Sequence, residues 1–363
     1  MLGRSRRLAV LAEGRFTRLD AKTAVGVLRY RPNEVAAVID STRAGGTAEA
    51  CVGIGGGVPV VAGIEAAAAC GADSLLVGVA PQGGELPHEC RPMVRDALLR
   101  GWDVLSGLHV FLGDDPEFAA LARERAVTIH DVRRPPPGRP VAARRAAGVD
   151  ALVVLTVGSD CNVGKMTTAL ELARALGGRG LRAAFVATGQ TGIFIADRGV
   201  AVDAIPSDFV AGAIEQLVVE AARDADIVIV EGQGALHHPG YSGVTLGLLH
   251  GACPAAMILC HQAGREQVRP PGGRAAEALS APVIPPLRDL VRAYEEAAAW
   301  VHPSRVVGVA LNTLGLGERS ARQAVERTAL DTGLPVADPV RFGAEALAGA
   351  IEACRGRDRA TLG

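Results

Sequence analysis

A chain of 363 residues exceeds one ordinary hydrophobic core and implies two domains. Its 49% apolar residues, 3% aromatics and net charge of -1 supply no basic surface for nucleic acid or an anionic membrane, so the expected partner is a small molecule. No apolar run approaches the ~18 to 20 residues of a membrane span. The apolar stretch after the basic start (Met1 to Arg7) stops before Glu13, too short for a signal peptide, and a cytoplasmic location is expected. Seven scattered cysteines without a C-x-x-C pair suggest neither a disulfide framework nor a structural zinc site.

In chain order, strand-like runs cover residues 7–12, 35–40, 58–62, 74–80, 103–106 and 127–130, separated by Ala-rich helical stretches such as 64–70 and 91–100. Residues 131–140 are rich in proline, which forbids continued helix or ladder pairing, and the domain boundary is placed there, giving domains 1–140 and 141–363. A second series of runs follows at 151–157, 183–187, 227–231, 255–260 and 306–311, with helices at 167–176, 210–222 and 320–331. Short Val, Ile and Leu runs alternating with helices predict an α/β protein with two doubly wound parallel-sheet domains and ligands at the carboxyl ends of the strands.

The strongest chemical signal begins in the strand before Gly158. The segment Gly158-Ser159-Asp160-Cys161-Asn162-Val163-Gly164-Lys165 is a glycine-bounded loop entering a helix. Such a loop turns backbone N–H groups inward and sets a phosphate on the positive helix end, with the lysine as a mobile charge. Five residues separate the glycines instead of four, and Met166 stands where the usual pattern has a magnesium-binding hydroxyl. A thioether is a poor ligand for a hard cation, which leaves Thr167 or Thr168 for that duty. The alternative is a structural strand-to-helix turn with a surface lysine. Glu231, ending an apolar strand, is the acidic residue expected to hold Mg²⁺ beside the loop. Asn312, ending a late strand, offers an amide to an adenine edge or simply forms a turn.

The loop spacing, the Gly-Lys pair, Val230-Glu231-Gly232 and the late Asn312 resemble dethiobiotin synthetase and related P-loop enzymes, which use ATP to activate a carboxylate or carbamate. A full-length resemblance is carried by residues 38–41, 78–84, 106–109, 129–135, 158–168, 208–212, 231–234 and 259–265. These ordered motifs are similar to domain-of-unknown-function family 1611. That resemblance implies a Rossmann-like N-terminal domain and a P-loop NTPase-like C-terminal domain; the best-known activity in the family is D-glutamate N-acetylation.

Further candidates lie on the same expected edge. Thr188, Gln190 and Thr191, after the second strand of the P-loop domain, can hydrogen-bond a substrate carboxylate, or form a Gly-rich turn. His237 and His238 lie in a loop long enough to cover a ligand and can serve as general base, or are polar loop residues. His261 and Arg265 form another polar edge, with Arg265 able to clamp a carboxylate. Asp208 either caps a helix or binds a ligand, and Asp203 lies just before it. Cys161 lacks an assigned base partner and is read as loop scaffolding. Asp40 ends the second strand, where Rossmann proteins bind a ribose hydroxyl, yet the glycine run 53–57 follows that strand instead of the first, so no NAD site is expected. Glu85, His109, Asp131, Arg133 and Arg134 serve an interdomain site or salt bridges.

Three functions are compatible with these residues. In the first, the P-loop grips the phosphates of acetyl-CoA, and His237 or His238 frees the amine of a small amino acid substrate. In the second, Lys165, Mg²⁺ and Glu231 align ATP to activate a carboxylate. The third, a nucleotide-sensing switch, leaves the polar edges at 188–191 and 261–265 unused and ranks last. A homo-oligomer is expected.

Overall fold

A computed structural model describes residues 6–18, 20–79, 81, 83–138, 140–269 and 281–361. Residues 1–5 of the basic start, the end of the fourth expected strand at Ala80 and the motif residue Gln82 lie outside the described residues. The chain forms two compact bodies, one of residues 1–136 and 190–204, the other of residues 137–189 and 205–363.

The first body is built on six strands, β1 (Leu8–Leu11), β2 (Val35–Ile39), β3 (Val60–Val61), β4 (Ser74–Val77), β5 (Asp103–Ser106) and β6 (Ile129–Asp131). All pair in parallel in the order β3-β2-β1-β4-β5-β6. β1, β2 and β4 are buried along their whole length, as apolar strands covered on both faces must be. Helices α1 (Lys22–Tyr30), α2 (Ala48–Val52), α3 (Ile64–Ala69), α4 (Arg91–Leu99) and α5 (Pro116–Arg125) connect them. The start of α5 follows local chemistry: Pro116 pre-sets the first turn, and the Asp115 carboxylate accepts the Glu117 and Phe118 N–H groups. The glycine run falls at the C-terminal end of α2, where Gly53 adopts φ +65° and caps the helix. Asp40 is fully buried and accepts the N–H groups of Gly14, Phe16 and Thr42, so its carboxylate is engaged in building the turn after β1.

In the second body, β7 (Leu152–Gly158) leads through the glycine loop into α6 (Lys165–Gly178) and then β8 (Ala183–Val186). After Gly189 the chain joins the first body as α7 (Gln190–Ala196), where Phe194 enters the core, and it returns at Ile205. α8 (Ser207–Ala221), β9 (Ile227–Val230), α9 (Ser242–Ala252), β10 (Ala256–Gln262), α10 (Leu287–Ala299), β11 (Arg305–Asn312), α11 (Glu318–Thr332), β12 (Val336–Ala337) and α12 (Glu345–Thr361) complete it. The sheet is again all parallel, in the order β12-β11-β10-β7-β9-β8. β12 is too short to give a legible pattern in the sequence.

Register fixes what surrounds the glycine loop. Gly158 lies level with Cys260 of β10, and Leu155 with Val230, the last residue of β9. The chain after β9 therefore turns away three residues below the loop, placing Glu231 and Gly232 beneath it. Of the two readings of Asp208, the helix cap is not what forms: Pro206 occupies the cap of α8, no side chain supplies a cap hydrogen bond, and Asp208 is exposed in the first turn.

Candidate phosphate-binding site

The loop between β7 and α6 carries a conformation its residues permit. Gly164 sits at φ +110° before the helix, where a side chain would be strained, and Asn162 takes the left-handed conformation at φ 56°, tolerated by its short polar side chain. Val163 anchors the turn in the apolar core, while Asn162 is exposed and Ser159 and Asp160 are fully buried. Lys165 is almost entirely buried, and its Nζ donates to the Asp160 carbonyl oxygen at 2.7 Å. Burial lowers its pKa, opposed by Cys161, Cys260, Asp160 and Glu231.

Beside the lysine stands Glu231, also buried. Its Oε2 accepts the N–H of Thr188 at 3.0 Å and of Gly189 at 3.3 Å, and its Oε1 accepts Nε2 of Gln233 at 3.3 Å. Burial pushes its pKa up to about 7, against these donors and Lys165. Gly232 must be glycine, since a Cβ there would overlap the Thr156 carbonyl oxygen; its N–H donates to Thr156 Oγ1 at 2.9 Å. The hydroxyl of Thr188 donates to the Glu231 carbonyl oxygen at 2.8 Å. Thr188, Glu231 and Lys165 thus form one buried polar cluster.

Three side chains hold the loop from outside. Tyr294 of α10, fully buried, donates its hydroxyl to the Gly158 carbonyl oxygen at 2.7 Å and accepts the Leu236 N–H at 3.2 Å. Ser159 Oγ lies 2.7 Å from Nδ1 of His261, whose pKa is depressed to about 4 by burial and by Arg265. Arg265 donates to Asp160 Oδ2 at 3.0 Å, to the Cys161 carbonyl oxygen at 2.8 Å and to Gln262 Oε1. The arginine expected to clamp a substrate carboxylate instead pairs with a carboxylate of the loop. Asp160 also accepts the N–H groups of Cys161 and Arg269.

The remaining candidates divide by place. Met166 and Thr167 are half-buried on the first turn of α6. Asn312 Oδ1 accepts the Leu314 N–H, which is the turn-forming role. The histidine segment forms tight turns: His238 is buried, with Nδ1 accepting the Gly240 N–H, and the ring of His237, its nitrogens buried, lies next to the Ser159 main chain without a well-formed hydrogen bond among the described residues. Burial lowers the pKa of both rings, so both are neutral at pH 7. Gln190 and Thr191 belong to the first body, where Arg133 donates to Gln190 Oε1 at 2.8 Å and Thr191 lies 3.0 Å from Thr23. Arg133 also pairs with Asp203 and donates to the Gly107 carbonyl oxygen, while Asp131 holds the N–H groups of Leu112 and Gly113. All of these contacts lie within that body.

Asp160, Cys161 and His238 bring ligand-type atoms within 4.8 Å of one another. The group suits a metal poorly, because Arg265 neutralises Asp160 and the lone pair of His238 Nδ1 is taken by Gly240. Gln233 and Tyr294 were not singled out from the sequence. Gln233 lay within a noted motif, whereas Tyr294 sits 136 residues from Gly158 and nothing local marks it.

Residues 140–348 match the P-loop domain, and residues 41–135 the Rossmann-like domain, of the domain-of-unknown-function family DUF1611. The chain belongs to the DUF1611 family. A protein of Tritonibacter scottomollicae named D-glutamate N-acetyltransferase is 38% identical over 338 residues, 92% of this chain and 95% of that protein. A second protein of that name, from Pseudoalteromonas sp, is 34% identical over 282 residues, 77% of this chain and 82% of its own length. The crystal structure of a DUF1611 family protein from Anabaena variabilis is 39% identical, with a TM-score of 0.89 covering 96% of this chain and 99% of that one. In this DUF1611 member, the P-loop region holds all six strands of the second sheet, and the Rossmann-like region holds β3 to β6 of the first, whose β1 and β2 precede it.

Proposed function

We propose that the protein is an N-acetyltransferase that moves the acetyl group of acetyl-CoA to the amine of D-glutamate or a closely related small amino acid. The likeness to two proteins named for that activity, continuous through both domains, carries this reading. The phosphate loop supports it: Lys165 and the amides at the α6 N-terminus suit the phosphates of the acyl donor. The amine nitrogen attacks the thioester carbonyl, the carbon–sulfur bond breaks to release coenzyme A as its thiolate, and the amine proton passes to a base and from it to the departing sulfur. His237 is assigned that proton, its pKa being lowered by burial and its ring lying next to the Ser159 main chain of the phosphate loop.

A second reading, ATP with Mg²⁺ activating a carboxylate, is favoured by the placement of Glu231 beside Lys165. The donors present fit Mg²⁺ poorly. Met166 offers a thioether, Thr167 is half-buried, and both Glu231 oxygens already accept hydrogen bonds, Oε2 from two N–H groups and Oε1 from Gln233. Mass spectrometry of products from D- and L-glutamate with acetyl-CoA or with ATP and Mg²⁺ separates the readings. Acetylated amino acid from acetyl-CoA alone is expected. ADP formed only in the presence of an amino acid would replace acyl transfer with carboxylate activation.

A further inference from the structure

The phosphate loop and the histidine turn belong to different connections of the sheet, one after β7 and the other after β9. One atom, the hydroxyl oxygen of Tyr294, is hydrogen-bonded to both, and the two also approach each other where His238 Nε2 lies 4.0 Å from Asp160 Oδ1. The tyrosine oxygen donates its proton to the Gly158 carbonyl at 2.7 Å and accepts the Leu236 N–H at 3.2 Å, with the Gly158 N–H at 3.4 Å. Gly158 opens the phosphate loop and Leu236 immediately precedes His237. The tyrosine is 0% exposed and its helix is strongly amphipathic, so the ring is held by packing while the hydroxyl alone reaches the two loops. Burial raises the phenol pKa well above 10, so the proton stays on the oxygen at any working pH.

We propose that Tyr294 is a positioning residue whose hydroxyl sets the spacing between the phosphate loop and the His237 turn. The consequence for catalysis rests on the functional reading above, because that reading gives the first loop the donor's phosphates and the second the base. Without the hydroxyl, the Gly158 carbonyl and the Leu236 N–H are both left without this partner in a dry site, and the two loops lose their common reference.

The test is Tyr294→Phe, which keeps the ring and its packing, with Glu215→Gln as a destabilised control. Glu215 is a buried carboxylate that holds the N–H groups of Ala143 and Arg145 and has no bond to either loop. Amide hydrogen exchange on the unliganded proteins, at a temperature where each is folded, is expected to rise in peptides 155–164 and 233–241 of Tyr294→Phe while peptide 305–312 is unchanged. The affinity for coenzyme A is expected to fall about 3- to 30-fold, the range of one or two lost buried hydrogen bonds, and kcat to fall with it. Glu215→Gln should lower the melting temperature without either effect. Wild-type exchange in both peptides, or exchange raised equally everywhere, would overturn the inference. If the wild-type protein does not bind coenzyme A, the functional reading fails, and the exchange comparison still decides the role of Tyr294.

Discussion

Lys165 Nζ donates to the main-chain oxygen of Asp160, five residues earlier in the same loop, at 2.7 Å. The contact holds the buried lysine head against the loop that leads into α6. Neutralising it removes both the charge and this bond. Lys165→Ala is expected to raise the dissociation constant for coenzyme A by about 100-fold, equal to about 2.7 kcal/mol and within the range for a charged hydrogen bond in a dry site. Isothermal titration checks this, and binding unchanged in the variant would assign the phosphates elsewhere.

The buried titrating groups give opposite pH windows. Glu231 has a folded-state pKa raised from 4.5 to about 7, so the folded protein holds the extra proton between those values. Its contribution to stability is fully present below about 4.5 and is lost as pH rises through about 7. The difference in melting temperature between Glu231→Gln and wild type should therefore move in favour of the variant from pH 5 to pH 7.5. A difference that stays flat would show a carboxylate ionised throughout.

His261 runs the other way. Its pKa falls from 6.5 to about 4, so the unfolded chain binds more protons between those values. Its contribution is fully present above about 6.5 and is lost as pH falls through about 4. Replacing it by His261→Asn should flatten the acid limb of the stability profile. Because the two windows overlap with opposite signs, the wild-type curve alone hides both, and thermal melts of each variant across pH 4 to 8 separate them.

Arg265→Ala leaves Asp160 buried with only N–H donors to balance its charge. Chemical denaturation is expected to show a loss of about 3 kcal/mol, the cost of breaking a buried pair from one side. Asp160→Asn in the same chain should recover a large part of it, since the uncompensated charge is then removed. If the double variant is no more stable than Arg265→Ala, the arginine acts through its bonds to Cys161 and Gln262 and not through the ion pair.

The parts of this site that were legible in the sequence are those specified within a few residues. A loop that brings amides to an anion needs glycines at fixed offsets between a strand and a helix, and 158–165 shows them. Glu231 was legible for a similar reason: an apolar run of Val and Ile ending in a carboxylate places that carboxylate at a strand's carboxyl edge. The short strand β12 and the helical start at Gln190 were not legible, because two residues carry no period and a Thr-Gly-Gln-Thr-Gly segment reads as a turn until packing around Phe194 outweighs it.

By itself, then, the sequence determined two parallel α/β sheets, the phosphate loop and the acidic residue below it, since strand burial and backbone turn chemistry are local properties. Only the tertiary structure decided which polar groups are already engaged. Arg265 meets Asp160 across 105 residues, Gln190 meets Arg133 across 57, and Tyr294 meets Gly158 across 136. A side chain's partner across such distances is set by sheet order and register, and no spacing along the chain encodes it.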